Sequence, residues 1–160
     1  MDALPTLITA DEFVPLLLAG WIVDGRNGGL IVGRSHADGN IIMISHNESS
    51  GDYKLIGLVE GQEFILNRVA TAEYFVRLTE INSDQSPCDF RIETTTESRL
   101  IHTTASPHDR FLLVDYRQQY IINANATRRH FAELERLNNL HHIHSGQILN
   151  DAVIAKLSEL

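Results

Sequence analysis

Three histidines close together in the sequence are the residues best suited to binding a metal ion. His141, His142 and His144 follow a strongly periodic segment, and His130 lies eleven residues before His141. Imidazole nitrogens are good ligands for Zn²⁺ and Ni²⁺. However, no cysteine or carboxylate stands at ligand spacing beside the cluster, and positive side chains are common at helix C-termini because they complement the helix dipole. The pattern therefore favours capping or solvent-exposed histidines over a metal site, and we predict no bound metal or other cofactor.

A second candidate for chemistry is Glu63, within residues 60–63, Glu-Gly-Gln-Glu. The repeat described below places Gln119 at the equivalent position, and an amide cannot act as a general base. A carboxylate in a turn or at a strand edge is therefore favoured over a catalytic one. An enzyme with a site around His36 and Glu63 is the weakest hypothesis, and we predict that the protein is not an enzyme.

The remaining residues of chemical interest have structural explanations. The sequence contains no Gly-x-Ser-x-Gly elbow, phosphate-binding loop or His-Glu-x-x-His motif. Residues 25–29, Gly-Arg-Asn-Gly-Gly, precede a strand pattern and no lysine follows at phosphate-loop spacing, which predicts a turn between strands. The only cysteine, Cys88, is predicted to be a buried or incidental thiol, and the only tryptophan, Trp21, to belong to the core rather than to a binding platform.

Composition narrows the classes of partner. The chain has 160 residues, 43% hydrophobic and 21% charged, with a formal net charge of -8. This composition is typical of a globular protein. The negative charge and the scattered basic residues disfavour nucleic acid, whose affinity for proteins depends largely on lysine and arginine. The longest apolar run, residues 13–19, is shorter than the ~20 residues that a membrane span needs. We therefore predict a soluble protein that binds neither nucleic acid nor membrane.

The chain contains an internal repeat in which equivalent positions are 56 residues apart. Residues 62–82 aligned with 118–138 give 8 identities in 21 pairs, where chance supplies about one or two. The shared positions are apolar residues, turn residues and asparagines, whereas Glu63 is not shared. The repeat therefore preserves a scaffold, and function is expected on the surfaces where the two copies differ.

Each copy has the pattern of strands followed by a helix. Hairpins are predicted from four pairs of β-rich runs: 30–34 with 40–44, 53–59 with 64–66, 90–92 with 99–102, and 110–116 with 120–122. Thr71 and Thr127 are predicted to begin the helices as N-terminal caps. Helical spacing predicts one apolar stripe per helix, formed by Phe75, Leu78 and Ile81 in the first copy and by Phe131, Leu134 and Leu137 in the second. Asn82 and the pair Asn138-Asn139 suit the C-terminal ends of the helices because asparagine tolerates left-handed backbone.

These patterns predict an α+β fold. We expect two tandem, β-hairpin-rich units each followed by a helix, with antiparallel sheets, helices packed on one face and a short C-terminal helix. The predicted domain spans residues 1–160, with unit 1 and its leading helix at 9–83, unit 2 at 84–139 and a tail helix within 140–160.

One part of the pattern is similar to a known module. Its residues in this chain are Ser35, His36, Gly39, Gly61, Glu63, Asn67 and Thr71, followed by Ile81-Asn82, with Asn123 and Thr127 repeating the last part of the pattern in the second copy. This arrangement resembles a module found in the C-terminal parts of bacteriophage tail tape-measure proteins and in related phage-like structural proteins. The resemblance covers residues 28–82 and, more weakly, 110–139. Gln62 and Asn40 stand where the module has glycines, and residues 117–119 replace its Glu-Gly-Gly-Glu turn.

The resemblance implies a non-catalytic structural or docking component of a phage or phage-derived particle. Its partners would be other proteins, in particular particle components, with a homo-oligomer as one form, and its location the host cytoplasm, the virion or both. The alternative hypothesis is an acidic adaptor or chaperone that binds a partner polypeptide, similar in layout to type III secretion chaperones.

Overall fold

The chain folds into two sheets with helices, an α+β architecture as predicted, in a computed structural model that describes residues 5–35, 37, 40–105 and 108–139. The predicted tail helix within 140–160 lies outside the described residues. The elements in chain order are β1 (Thr6–Ile8), α1 (Ala10–Leu18), β2 (Ile22–Asp24), β3 (Gly29–Val32), β4 (Ile41–His46), β5 (Tyr53–Val59), β6 (Phe64–Ile65), α2 (Arg68–Glu73), α3 (Phe75–Asn82), β7 (Leu100–His102), β8 (Thr104–Ala105), β9 (His108–Asp109), β10 (Phe111–Leu113), β11 (Ile121–Ile122) and α4 (Ala124–Asn139).

The larger sheet has five strands in the order β1-β5-β4-β10-β2. Strands β4 and β5 form an antiparallel hairpin, whereas β10 runs parallel to both β4 and β2. The smaller sheet has four strands in the order β11-β6-β3-β7, and β8 pairs with β9 separately. In the smaller sheet, β6 is antiparallel to both β3 and β11, and β3 is parallel to β7. Both sheets therefore mix parallel and antiparallel pairs.

The four hairpins predicted from sequence are not formed. Strands β5 and β6 lie in different sheets, as do β3 and β4, and β10 and β11. Residues 90–92 form no strand, and β7 pairs with β3 instead. The segments between these three pairs of strands do turn, but each turn leads from one sheet to the other and does not close a hairpin. The glycine-rich residues 25–29 confirm their prediction as a turn and carry the chain from β2 to β3.

The first helix packs over the larger sheet. Residue Thr9 precedes α1, and its backbone N–H and its hydroxyl both donate to Glu12 Oε1, at 3.0 and 2.7 Å. These hydrogen bonds hold the pKa of Glu12 below its usual value. Phe13 is buried and stacks on Tyr53 of β5 with ring centroids 4.0 Å apart. Burial is the main reason why the pKa of Tyr53 is raised to about 12, while Arg26 acts weakly in the opposite direction.

This tyrosine makes the protein sensitive to alkali. The pKa of Tyr53 is higher in the folded chain than in the unfolded chain, so its contribution to stability is complete below pH 10.0 and is lost as the pH rises to about 12. We expect one tyrosine to ionise late in an ultraviolet titration and the free energy of unfolding to fall over the same interval. Tyr53→Phe should remove the late transition and flatten the fall. A titration unchanged by Tyr53→Phe would contradict the assignment.

The predicted apolar stripes of both copies meet in one cluster on the smaller sheet, except that Phe75 of the first stripe is exposed. Leu78 and Ile81 of α3 pack there with Leu134 and Leu137 of α4. The two units therefore share a core. Within the described residues, no helix is long and apolar enough to cross a membrane.

Candidate functional site

The two copies meet around an approximate twofold axis. Strands β6 and β11 pair antiparallel with Ile65 opposite Ile121, which are equivalent positions of the repeat. Arg77 and Glu133 are also equivalent, and the Arg77 guanidinium donates to both carboxylate oxygens of Glu133 at 2.8 Å. These bonds hold the pKa of Glu133 below its usual value. Arg77 in the first copy and Glu133 in the second thus occupy the same repeat position and form an ion pair across the axis.

Two asparagine pairs join the copies reciprocally. In the first pair, the Asn67 backbone N–H donates to Asn138 Oδ1 at 2.7 Å, and Asn67 Nδ2 donates to the Asn138 carbonyl at 3.0 Å. In the second, Asn123 makes the same two contacts with Asn82 at 2.8 and 3.0 Å. Each strand-to-helix junction is therefore bound to the end of the other copy's helix.

The same asparagines begin the helices, which corrects the prediction for Thr71 and Thr127. Asn67 Oδ1 accepts from the Ala70 N–H, and Asn123 Oδ1 accepts from the Ala126 N–H, both at 2.8 Å. The helices start at Arg68 and Ala124, so the two threonines lie within the first turns. Their hydroxyls donate back to the carbonyls of Leu66 and Ile122. Thr71 Oγ1 also accepts from the Tyr120 N–H at 2.9 Å, a further contact between the copies.

The helix exits and helix breaks also match between the copies. Tyr74 separates α2 from α3, and the equivalent residue, His130, has nearly the same backbone angles within α4. The prediction of left-handed backbone at Asn82 and Asn138 is wrong: neither is among the described residues with positive φ. Their amides serve the contacts with the other copy instead.

The turn residues of the resemblance are structural as well. Glu63 Oε1 accepts from the Glu60 N–H at 2.7 Å, and Gln119 Oε1 accepts from the Asp115 N–H at 2.7 Å. Both side chains thus close the turn between their two strands. The Gly61 N–H donates to the Arg34 carbonyl, and a Cβ at Gly61 would overlap the carbonyl of Gly33. Ser35 is exposed just after this contact, while His36 and Gly39 lie outside the described residues.

The carboxyl ends of the parallel strands β2 and β10 are closed by protein. Open sheets of parallel strands usually bind ligands at this end. Here Gln119 Nε2 donates to the carbonyls of Gly25 and Leu66, at 2.9 and 3.2 Å. The Gly25 N–H donates to the Leu113 carbonyl at 2.8 Å. These contacts join the carboxyl end of β10 to the turn that follows β2.

A small pocket lies at the opposite, amino-terminal ends of β2, β4 and β10. Its volume is about 220 Å³. Trp21, Ile42 and Phe111 give it apolar walls, and Arg34 and Asp109 form an ion pair at its rim. Trp21 is half-buried in this pocket, which corrects its prediction as a core residue. We call these five residues and Arg110 the tryptophan pocket.

Arg110 gives the tryptophan pocket a hydrogen-bond donor. Its Nη1 donates to the His102 carbonyl at 3.3 Å. Its Nε is buried and has no hydrogen-bond acceptor among the described residues. The guanidinium of Arg110 would favour a ligand that supplies a carbonyl or carboxylate oxygen at the pocket.

A second, open cleft of about 610 Å³ runs along β3. Its wall includes Cys88, which is buried as predicted, and the following loop through Ile92. Arg128 crosses the cleft and is already engaged, since it donates to Gln62 Oε1 at 2.7 Å and to Asn125 Oδ1 at 2.9 Å. Arg128 thus links α4 to Gln62 across this cleft.

Sequence reasoning missed the tryptophan pocket because its residues come from four separate segments, at positions 21, 34, 42 and 109–111. No motif joins these segments, and the parallel pairing of β10 with β2 and β4 is what brings Trp21, Ile42 and Phe111 together. The sequence feature that could have indicated the pocket is Arg110, a charged residue directly before the apolar strand β10. Within the described part of the chain, no three His, Cys, Asp or Glu side chains are placed to hold a metal ion. The cluster of His141, His142 and His144 lies outside that part.

Comparisons with known proteins add no relative from which a function could be transferred. No protein-family model matches the chain, and neither the curated proteins nor the solved structures include a significant match.

Proposed function

We propose that the protein is a non-catalytic docking protein that binds other proteins through the tryptophan pocket. The volume of about 220 Å³ carries this proposal. Small-molecule sites usually enclose about 300–1,000 Å³, so a smaller pocket is better matched to one apolar side chain of a protein partner. Tryptophan and arginine are also the residue types that most often dominate the energy of protein interfaces.

The apolar walls of the pocket and the guanidinium of Arg110 indicate which chemical groups the partner would supply. An apolar side chain would pack against Trp21, Ile42 and Phe111. A carbonyl or carboxylate oxygen next to that side chain would accept from the guanidinium of Arg110, which lines the pocket. A short extended peptide with an apolar anchor supplies both groups.

The proposed setting is a phage or phage-derived particle. The support for this setting is the resemblance of residues 28–82 to the module of tail tape-measure proteins. Among the described residues of that module, Glu63, Asn67, Thr71 and Asn123 form turns, caps and contacts between the copies, a role that suits a scaffold. The particle component that docks into the tryptophan pocket would then be a structural protein of the same particle.

The test of the pocket uses a library of displayed peptides selected on the folded protein. Trp21→Ala and Arg110→Ala should each weaken the selected peptides by about tenfold or more, because truncating an anchoring residue commonly costs more than about 1.4 kcal/mol. Leu58→Ala is the control, since Leu58 is an exposed apolar residue of the same sheet, 54% accessible. Thermal midpoints would show that each variant is folded. If the selected peptides bind wild type, Trp21→Ala and Leu58→Ala equally, binding through the tryptophan pocket is refuted.

A separate experiment tests whether the protein is a component of a phage or phage-derived particle. Particles purified from the producing strain should contain the chain at a fixed stoichiometry by quantitative mass spectrometry, and Trp21→Ala should be depleted from them. A chain that is absent from particles and bound instead to one unfolded polypeptide would favour the adaptor or chaperone hypothesis.

A further inference from the structure

The turn between β2 and β3 contains the only Asn-Gly dipeptide of the chain, Asn27-Gly28. An asparagine side chain loses its amide most readily when glycine follows, because glycine has no Cβ to keep its backbone nitrogen away from that side chain. The dipeptide therefore has the composition of a deamidation site. Its environment in the fold decides how fast the reaction proceeds.

Deamidation at this dipeptide is a cyclisation followed by hydrolysis. The Gly28 backbone nitrogen loses its proton and attacks Asn27 Cγ, the bond from Cγ to the amide nitrogen breaks, and ammonia leaves. The product is a five-membered succinimide that includes the Gly28 nitrogen. Water then opens this ring at either carbonyl and gives aspartate or isoaspartate. The reaction therefore requires that the Gly28 nitrogen gives up its proton and approaches Cγ.

The fold binds both polar groups of the peptide unit that joins Asn27 to Gly28. The Gly28 N–H donates to the Gly25 carbonyl at 3.0 Å, and this hydrogen bond keeps the proton on the attacking nitrogen. The Asn27 carbonyl accepts from Asn138 Nδ2 at 2.9 Å. The peptide unit therefore turns toward the Asn27 side chain only at the cost of these hydrogen bonds.

Asn138 also closes the space around Gly28. Gly28 is buried, and a Cβ at this position would overlap both the Asn138 amide and the Ile65 carbonyl. Asn138 is itself held in place, because its Oδ1 accepts from the Asn67 N–H at 2.7 Å. The peptide unit after Asn27 is therefore free to move only when the contact between Asn67 and Asn138 opens.

We propose that Asn27 is a deamidation site whose rate is set by opening of the contact between Asn67 and Asn138. While Asn138 is docked, its hydrogen bond and its packing protect the amide of Asn27. Isoaspartate leads the backbone through Cγ and adds one carbon to the turn, so the modified turn no longer fits beneath Asn138. Because the ammonia is lost irreversibly, the fraction of modified chains increases with the time that the contact has been open.

Peptide mapping of the aged full chain by mass spectrometry tests this proposal. Wild type, Asn138→Ala and Asn82→Ala are incubated in the same mildly alkaline buffer, and the conversion of Asn27 to aspartate and isoaspartate is followed. Asn138→Ala should convert at least about tenfold faster than wild type, because local opening exposes the turn without global unfolding. Asn82→Ala is the matched control, since Asn82 is the equivalent of Asn138 and binds Asn123. It should convert at the wild-type rate.

A conservative variant and an unfolded reference complete the experiment. Asn138→Asp keeps the oxygen that accepts from the Asn67 N–H but removes the amide group that donates to the Asn27 carbonyl. It should speed conversion by about threefold or more, the effect of losing one hydrogen bond. Wild type unfolded in urea should convert fastest of all, and circular dichroism would show that the other samples are folded.

Three results would overturn the proposal. Folded wild type that converts as fast as the unfolded chain would show that the turn does not protect Asn27. Folded Asn138→Ala and Asn138→Asp that both convert at the wild-type rate would show that Asn138 does not control the reaction. An equal acceleration in folded Asn82→Ala would show that general loss of stability, rather than this contact, sets the rate.

Discussion

Replacing Asn67 by alanine should lower the free energy of unfolding by about 3 kcal/mol. Asn67 is fully buried. Its side chain accepts from the Ala70 N–H at 2.8 Å and donates to the Asn138 carbonyl at 3.0 Å. Alanine removes both bonds and leaves a buried donor and a buried acceptor unpaired. The two groups left unpaired, the Ala70 N–H that loses its cap and the Asn138 carbonyl, cost about 1–2 kcal/mol each.

Asn123 is a matched control for this substitution, because it makes the equivalent bonds in the second copy. Asn123 is only half-buried, so water can reach the groups that Asn123→Ala leaves unpaired. The expected loss is therefore smaller, about 1 kcal/mol. Urea denaturation of both variants gives the comparison. Equal losses would show that burial does not decide the cost, and a loss at Asn67 within experimental error would show that the asparagine pairs do not hold the copies together.

Gly28→Ala should cost about 3–4 kcal/mol, the second large effect. Gly28 lies in the turn between β2 and β3 with a φ of +77°. A Cβ there would lie 2.5 Å from the Ile65 carbonyl oxygen and would overlap the Asn138 amide. Left-handed backbone costs a non-glycine residue about 1–2 kcal/mol, and the collision with backbone adds a similar amount. The substitution therefore acts on the same junction as Asn67→Ala.

Gly20→Ala separates the cost of left-handed backbone from the cost of steric overlap. Gly20 has a φ of +84°, but a Cβ there would meet nothing within 4 Å. Only the backbone term remains, so we expect a loss of about 1 kcal/mol. Thermal or urea unfolding of both variants measures the difference. If Gly20→Ala proves as costly as Gly28→Ala, close approach at the junction is not what requires glycine.

Much of the local structure could be predicted from the sequence. Spacing at helical periodicity identified the buried positions Leu78, Ile81, Leu134 and Leu137, because a helix that packs on a sheet must turn one apolar face inward. Turn chemistry likewise identified residues 25–29, and the α+β class followed from the alternation of strand and helix patterns. The helix starts were misplaced by a few residues because asparagine and threonine both suit a cap, and only the three-dimensional contacts choose between them.

Sheet membership depended on contacts that are distant in sequence. The turn between β5 and β6 ends a strand whether the next strand folds back or crosses to another sheet. What places β6 in the smaller sheet is its pairing with β3 on one side and β11 on the other. No property of residues 60–63 specifies that choice. The tryptophan pocket was hidden for the same reason, since it exists only where three parallel strands begin side by side.

Phe75 and Phe131 show which properties could be predicted from the sequence and which depend on the tertiary structure. The sequence by itself determined that both occupy the same position of a repeated amphipathic helix, because the repeat and the helical period are local properties. Only the tertiary structure decided that one is 8% and the other 56% accessible. The reason is that burial depends on what packs against a helix: Phe131 contacts Phe64 within the shared apolar cluster, whereas Phe75, which contacts Tyr120, is not among the buried residues of that cluster.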